Sequence, residues 1–153
     1  MKGLRLTIVF SAFAMVAAGG GIPARAFQLI TVAEADLPAA ATTEIAMRGL
    51  TRGPGVDQRS PSPDVMTPMG PLTLDVAFEA HNGASVDPGT VRVTYLKDPA
   101  VDLTQRLKPY ITATGIKAGD VDVPPGVHMI RIDLTDTQGR STTTVMKIQV
   151  AAK

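Results

Sequence analysis

From Leu72 onward, hydrophobic residues recur at every second position. Leu72, Leu74, Val76 and Phe78 alternate with Thr73, Asp75, Ala77 and Glu79, the pattern of a strand with one face buried and one in water. His81-Asn82-Gly83-Ala84 then supplies turn residues, and Asp87-Pro88-Gly89 introduces a second alternating run, Val91, Val93 and Tyr95 against Arg92 and Thr94. Between Asp98-Pro99 and Pro109, Asp102 is placed to cap a short helical turn carrying Leu103 and Leu107 on one side. Ile111 to Ile116 and Val121 to Val123 are shorter apolar runs, read as two strands separated by Lys117-Ala118-Gly119-Asp120. The last hairpin is the clearest. Pro124-Pro125-Gly126 opens a strand whose Ile130, Ile132 and Leu134 point inward, with His128 at the same parity. Asp136-Thr137-Gln138-Gly139 reverses the chain, and Ser141 to Val150 returns with Met146, Ile148 and Val150 inward.

Upstream the period disappears. The stretch Arg52 to Pro71 is rich in Pro, Gly and Ser, including Ser60-Pro61-Ser62-Pro63. Proline's fixed φ and missing amide suit a linker or an irregular edge strand rather than a central one. Phe27 to Leu50 is alanine-rich, and Thr31-Val32-Ala33-Glu34 has the spacing of a capping box. Pro38 interrupts any long helix, so residues 27–55 are expected to form a loosely attached, partly helical extension. The sandwich is expected to occupy residues 56–153.

The first 26 residues carry a different pattern. Lys2 and Arg5 precede the apolar run Leu6 to Ala18, which meets three glycines, Pro23 and Ala24-Arg25-Ala26. This is the layout of a secretory signal peptide. The run of 13 residues is short of the about 20 needed to span a bilayer core, and the chain has no cysteine for lipidation. Cleavage after Ala26 removes Lys2, Arg5 and Arg25, taking 15 basic residues to 12 against 14 acidic ones, a net charge near −2 instead of +1. A surface so close to neutral gives no field to collect nucleic acid or anionic lipid. Zero cysteines also exclude a disulfide framework, a thiolate metal site and a cysteine nucleophile.

The order "VRVTYL", "TGI", "DVPPGVHMIRIDLTDTQGRS" and "KIQV" resembles the immunoglobulin-like and fibronectin type III-like modules of exported bacterial proteins, over roughly Val56 to Val150. The resemblance implies an all-β fold, an immunoglobulin-like antiparallel β-sandwich with a short helical N-terminal extension. Its motifs specify a Pro-Gly turn and an Asp-x-x-Gly turn, Asp136 to Gly139 here, and not a ligand. The antibody hallmarks are missing, since there is no cysteine pair and no tryptophan.

Chemistry is sparse in this chain. The two histidines, His81 in a turn and His128 at a strand start, leave no nucleophile, base and orienter set, so no enzyme, no catalytic residue and no cofactor is expected. Met66 and Met69, with His81 or His128, could offer soft ligands to Cu(I), which is similar to periplasmic copper-resistance proteins on a related barrel. Those use a histidine at the mature N-terminus, where this chain has Phe27. Methionines near prolines also fill gaps in cores. Asp87, Asp98, Asp120, Asp122 and Asp136 form no calcium ladder, and local backbone bonding accounts for aspartate in turns. Arg48, Arg52 and Arg59 could form a basic strip, but without aromatic companions they suit a solvated irregular segment.

These observations lead to two expectations. The first is an exported, periplasmic or secreted, non-catalytic interaction or structural module of the bacterial cell envelope, with an envelope or periplasmic protein as partner, no nucleic acid and no stable membrane anchor. Pairing through exposed sheet edges is its expected physical route. The alternative is a periplasmic copper- or small-ligand-binding protein.

Overall fold

A computed structural model of the protein describes residues 26–40 and 52–152. The expected export signal, apart from Ala26, lies outside the described residues, as does Arg48. In chain order the elements are β1 (Phe27–Gln28), α1 (Val32–Ala35), β2 (Gly55–Ser60), β3 (Leu72–Glu79), β4 (Arg92–Tyr95), β5 (Val101–Asp102), α2 (Thr104–Leu107), β6 (Ile111–Thr112), β7 (Gly115–Asp122), β8 (Gly126–Thr135) and β9 (Ser141–Val150). Two sheets form a sandwich-like arrangement. One has the order β1-β7-β3-β2, with β6 also pairing β7, and the other runs β5-β4-β8-β9.

The alternation carries through to packing. Leu72, Leu74, Val76 and Phe78 from β3, Val93 and Tyr95 from β4, and Ile130, Ile132 and Leu134 from β8 are buried in one cluster with Met146, Ile148 and Val150 from β9. Strands β8 and β9 pair in unbroken register from Gly126↔Val150 to Thr135↔Ser141. At the far end Asp136 Oδ1 accepts from the amides of Gln138 and Arg140, its Oδ2 accepts from Arg140 Nε, and Gly139 turns the chain at φ +76°. The helical turn also forms as expected. Asp102 Oδ1 accepts from the Thr104 amide at 2.7 Å, and Leu103 and Leu107 are both buried.

Within the Pro-rich stretch, Gly55–Ser60 forms an edge strand, β2, paired antiparallel with β3, and the prolines from Pro61 to Pro71 lie in the loop that follows it. The two runs read as separate strands around Lys117–Asp120 do not hold, because Gly115 to Asp122 is one strand. Its register shifts between Leu72↔Val121 and Leu74↔Ala118, leaving an extra residue on β7, and Asp120 adopts φ +52° there. A bulge of this kind absorbs turn-like composition without ending the strand, and aspartate tolerates the left-handed region better than most residues. Ile111–Thr112 folds back on β7 as a separate short strand.

Gly115 is required by close approach. It sits at φ +152°, and a Cβ there would collide with the Val76 carbonyl oxygen. The conformation alone costs a non-glycine residue about 1–3 kcal/mol. Gly115→Ala is therefore expected to lower the melting temperature by roughly 5–15 °C, measured by thermal circular dichroism.

The N-terminal segment corrects the expectation of a loose extension. β1 pairs parallel with β7, Leu29 and Ile30 are fully buried in the core, and the Leu29 amide donates to Asp122 O at 3.0 Å. Thr31 and Glu34 form the reciprocal capping box on α1. Beyond α1, Asp98 N donates to Pro38 O, and Ala39 bridges to Lys97. The segment thus runs from the β7 edge of one sheet to the strand end after β4 in the other. Alanine-rich composition hid this because the docking is carried by two adjacent apolar residues with no period to reveal them.

Candidate functional site

Residues 27–40, which form a strap across the sandwich, are held by charged side chains on it. Arg106 of α2 meets Glu34 in a two-pronged ion pair, Nη1 to Oε2 at 2.8 Å and Nη2 to Oε1 at 2.6 Å, and Nη1 also donates to Leu29 O at 2.7 Å. Hydrogen bonding from Arg106 holds the Glu34 carboxyl down to about 2, against the desolvation that opposes it. Lys97 Nζ donates to the carbonyls of Ala35 and Leu37, each at 2.7 Å. None of these partners is close in sequence, so sequence pattern had no means of pairing them.

The opposite side of the sandwich is also bridged. Gln58 of β2 accepts from Lys147 N and donates to Lys147 O of β9, while Thr67 N donates to Gln149 O and Ala151 N donates to Thr67 O. Gly53 lies so close to Ser141 O and Thr142 Oγ1 that a Cβ would clash with both. Edge pairing with a partner therefore meets occupied ground at both ends of β9. Such cover is a familiar means of blocking unwanted strand addition.

His128 is buried and engaged at both nitrogens. Its Nε2 lies 2.8 Å from Pro124 O, which only accepts, so Nε2 carries the proton and Nδ1 accepts from Tyr95 Oη at 2.8 Å. Burial, with Glu34 nearby, pushes the Tyr95 hydroxyl up to about 12 and keeps it a donor. Burial also lowers the His128 pKa, opposed by the Pro124 bond and reinforced by Lys97. With both ring nitrogens committed, His128 offers neither a metal ligand nor a base.

That burial has a pH signature. Above the ordinary value of 6.5 both folded and unfolded His128 are neutral. Below it the unfolded chain takes a proton that the folded one refuses, so stability falls with pH until the lowered folded value is passed. The slope is at most about 1.4 kcal/mol per pH unit. The melting temperature is expected to fall between pH 7 and pH 5 in the native protein and to stay flatter in His128→Phe. Glu34 does not contribute until the pH approaches the ordinary carboxyl value of 4.5.

The soft-ligand group is not assembled. Met66 and Met69 belong to the loop that Thr67 fastens to Val150, at the end of the sandwich where β8 begins. His81 is exposed at the other end, where Arg140 donates to its carbonyl, a separation of about 30 Å along β8. Among the described residues no three His, Cys, Asp or Glu side chains group as metal ligands. Asp87 instead caps the turn Pro88–Thr90, accepting from Gly89 N at 2.9 Å, and Asp136 anchors the β8–β9 turn. Of the arginine strip, Arg52 is exposed and Arg59 pairs with Asp57 at 3.5 Å.

Apart from Val32 on α1, the large apolar side chains that are most exposed among the described residues lie at the Met66 end. Val65, Met66, Met69 and Val127 are each more than half exposed. Val127 lies cross-strand from Gln149, whose side chain donates to Pro63 O at 2.7 Å, so the loop and this valine share one end of the sandwich. Methionine is a flexible, polarisable contact residue suited to such surfaces.

No family model matches the chain, and no curated protein matches it. Among solved structures, an engineered protein is similar over 65% of this chain at 16% identity, with a TM-score of 0.43. The chain spans only 20% of that protein's length. Among the described residues no helix is long and apolar enough to cross a membrane.

Proposed function

We propose that the protein is an exported, non-catalytic interaction module of the bacterial cell envelope, built on an immunoglobulin-like sandwich, which binds a protein partner through the loop of residues 61–71. The exposed group Val65, Met66, Met69 and Val127 carries this reading, because soluble domains seldom leave several large apolar side chains in water at one end without use for them. Strand order supports the fold. β2, β3 and β7 share one sheet while β4, β8 and β9 share the other with β5 beside β4, matching the arrangement in which strands A, B and E face C, F and G. The charged, apolar and small-residue sequence of Met1 to Ala26 supports export.

The route differs from edge pairing, since Gln58 and the strap of residues 27–40 cover part of the sheet edges while the loop of residues 61–71 leaves its apolar side chains in water. An apolar partner surface on an envelope or periplasmic protein would suit the loop. The test compares capture from an envelope extract by the exported protein and by the triple variant Val65→Ser, Met66→Ser, Met69→Ser. A partner held by the native protein and lost by the variant is expected. Equal capture by both, or none by either, overturns the reading, and stoichiometric metal in the purified protein would favour the copper alternative.

A further inference from the structure

Between the turn Pro88–Thr90 and α2 the surface opens into a cleft of about 410 Å³, within the range of small-ligand sites. Pro88, Val91 and Ile111 supply apolar wall, and Arg92, Gln105 and Lys108 supply polar groups. No carboxylate lines it. Three aspartates lie close in sequence or register, and each accepts its hydrogen bonds from elsewhere while keeping its charge. Asp87 accepts from Gly89 N, Asp102 from Thr104 N, and Asp133 from Arg131 and Thr143. Thr104 is spent in the same way, its hydroxyl bonded to Val93 N.

The two cations form no close ion pair. Arg59, Arg106, Lys117, Arg131, Arg140 and Lys147 are in ion pairs, and Lys97 is held by carbonyls. Among the described residues neither Arg92 nor Lys108 forms an ion pair, and Arg92 Nη1 reaches only the carbonyls of Gly89 and Val91 at 3.5 and 3.4 Å, the outer limit of bonding. Asp133 lies across the ladder from Arg92 and Asp102 feels its charge, but neither carboxylate lines the cleft, so Arg92 and Lys108 present their positive groups to an apolar-walled cavity that holds no anion of its own. A guanidinium fork suits a carboxylate, and the walls suit a hydrocarbon body beside it.

The geometry points to a binding site for a small organic carboxylate with an apolar body, held by Arg92 and Lys108. This site is independent of the loop at residues 61–71 and stands or falls apart from it. The experiment is a titration of the full protein with benzoate, followed by amide NMR. Saturable shifts at Gly89, Arg92 and Gln105, with half-saturation near or below about 1 mM, are expected. Benzamide, which keeps the ring and loses the charge, and acetate, which keeps the charge and loses the ring, should each bind at least about tenfold more weakly, a difference of about 1.4 kcal/mol. The double variant Arg92→Gln, Lys108→Gln changes only exposed side chains and should lose the benzoate shifts while keeping the native spectrum elsewhere. Shifts that never saturate, equal binding of benzamide or acetate, equal binding by the double variant, or tighter binding of inorganic phosphate would each overturn the assignment.

Discussion

Ile132→Asp is expected to abolish cooperative thermal unfolding. Ile132 is fully buried at the middle of β8, which is itself the interior strand between β4 and β9, and it faces Val93 and Thr144 across the ladders. A carboxylate placed there finds no cation among the packed cluster of leucines, isoleucines and valines. It must either stay charged without solvent or take up a proton and still lack a hydrogen-bond partner, and both routes cost several kcal/mol. The shape of the lost isoleucine adds a cavity cost of similar sign. Domains of this size are stable by only about 5–15 kcal/mol, so the sum removes most or all of the margin. Val127→Asp on the same strand is the control, because that side chain is 57% exposed. A sigmoidal melt retained by the Val127 variant and lost by the Ile132 variant fixes which face of β8 is inside, and an unchanged curve for Ile132→Asp would refute it.

The face of β8 was legible because a half-buried strand repeats its environment every two residues, and the same holds for β3, β4 and β9. His128 was legible for that reason too, since its parity with Ile130 places it inside. What the pattern could not convey was anything set by contact between distant segments. β7 reads as two fragments because its bulge at Asp120 shifts the inward set by one position, and only pairing with Leu72 and Leu74 reveals the continuity. The exposed end formed by Val65, Met66 and Met69 looks the same in sequence as a loop whose methionines fill a core, and only exposure separates the two. Arg92 and Lys108 come from β4 and from the turn after α2, so their meeting at one cleft follows from the fold and not from spacing.

Replacing both Leu29 and Ile30 with alanine is expected to be the second most damaging change, although both lie in a segment whose composition suggests a loose tail. Each side chain is fully buried, and each truncation costs about 2–5 kcal/mol for a core aliphatic, or about 4–10 kcal/mol together if they act independently. That is comparable to the whole stability of the domain. The loss spreads beyond the cavity, because Leu29 also donates to Asp122 O and accepts from Arg106, so freeing its side chain weakens the hold on β1 and on α1 at once. Chemical denaturation should show the midpoint falling sharply, and hydrogen exchange should show the Leu29 amide losing protection with its neighbours along β7. Arg106→Ala separates the two contributions. It removes the ion pair to Glu34 and the bond to Leu29 O while leaving both aliphatic side chains, so the core should stay folded while the Leu29 and Glu34 amides exchange faster. A double alanine variant that melts like the native protein would mean that residues 27–40 are a tail after all, and that the sandwich closes its open side without them.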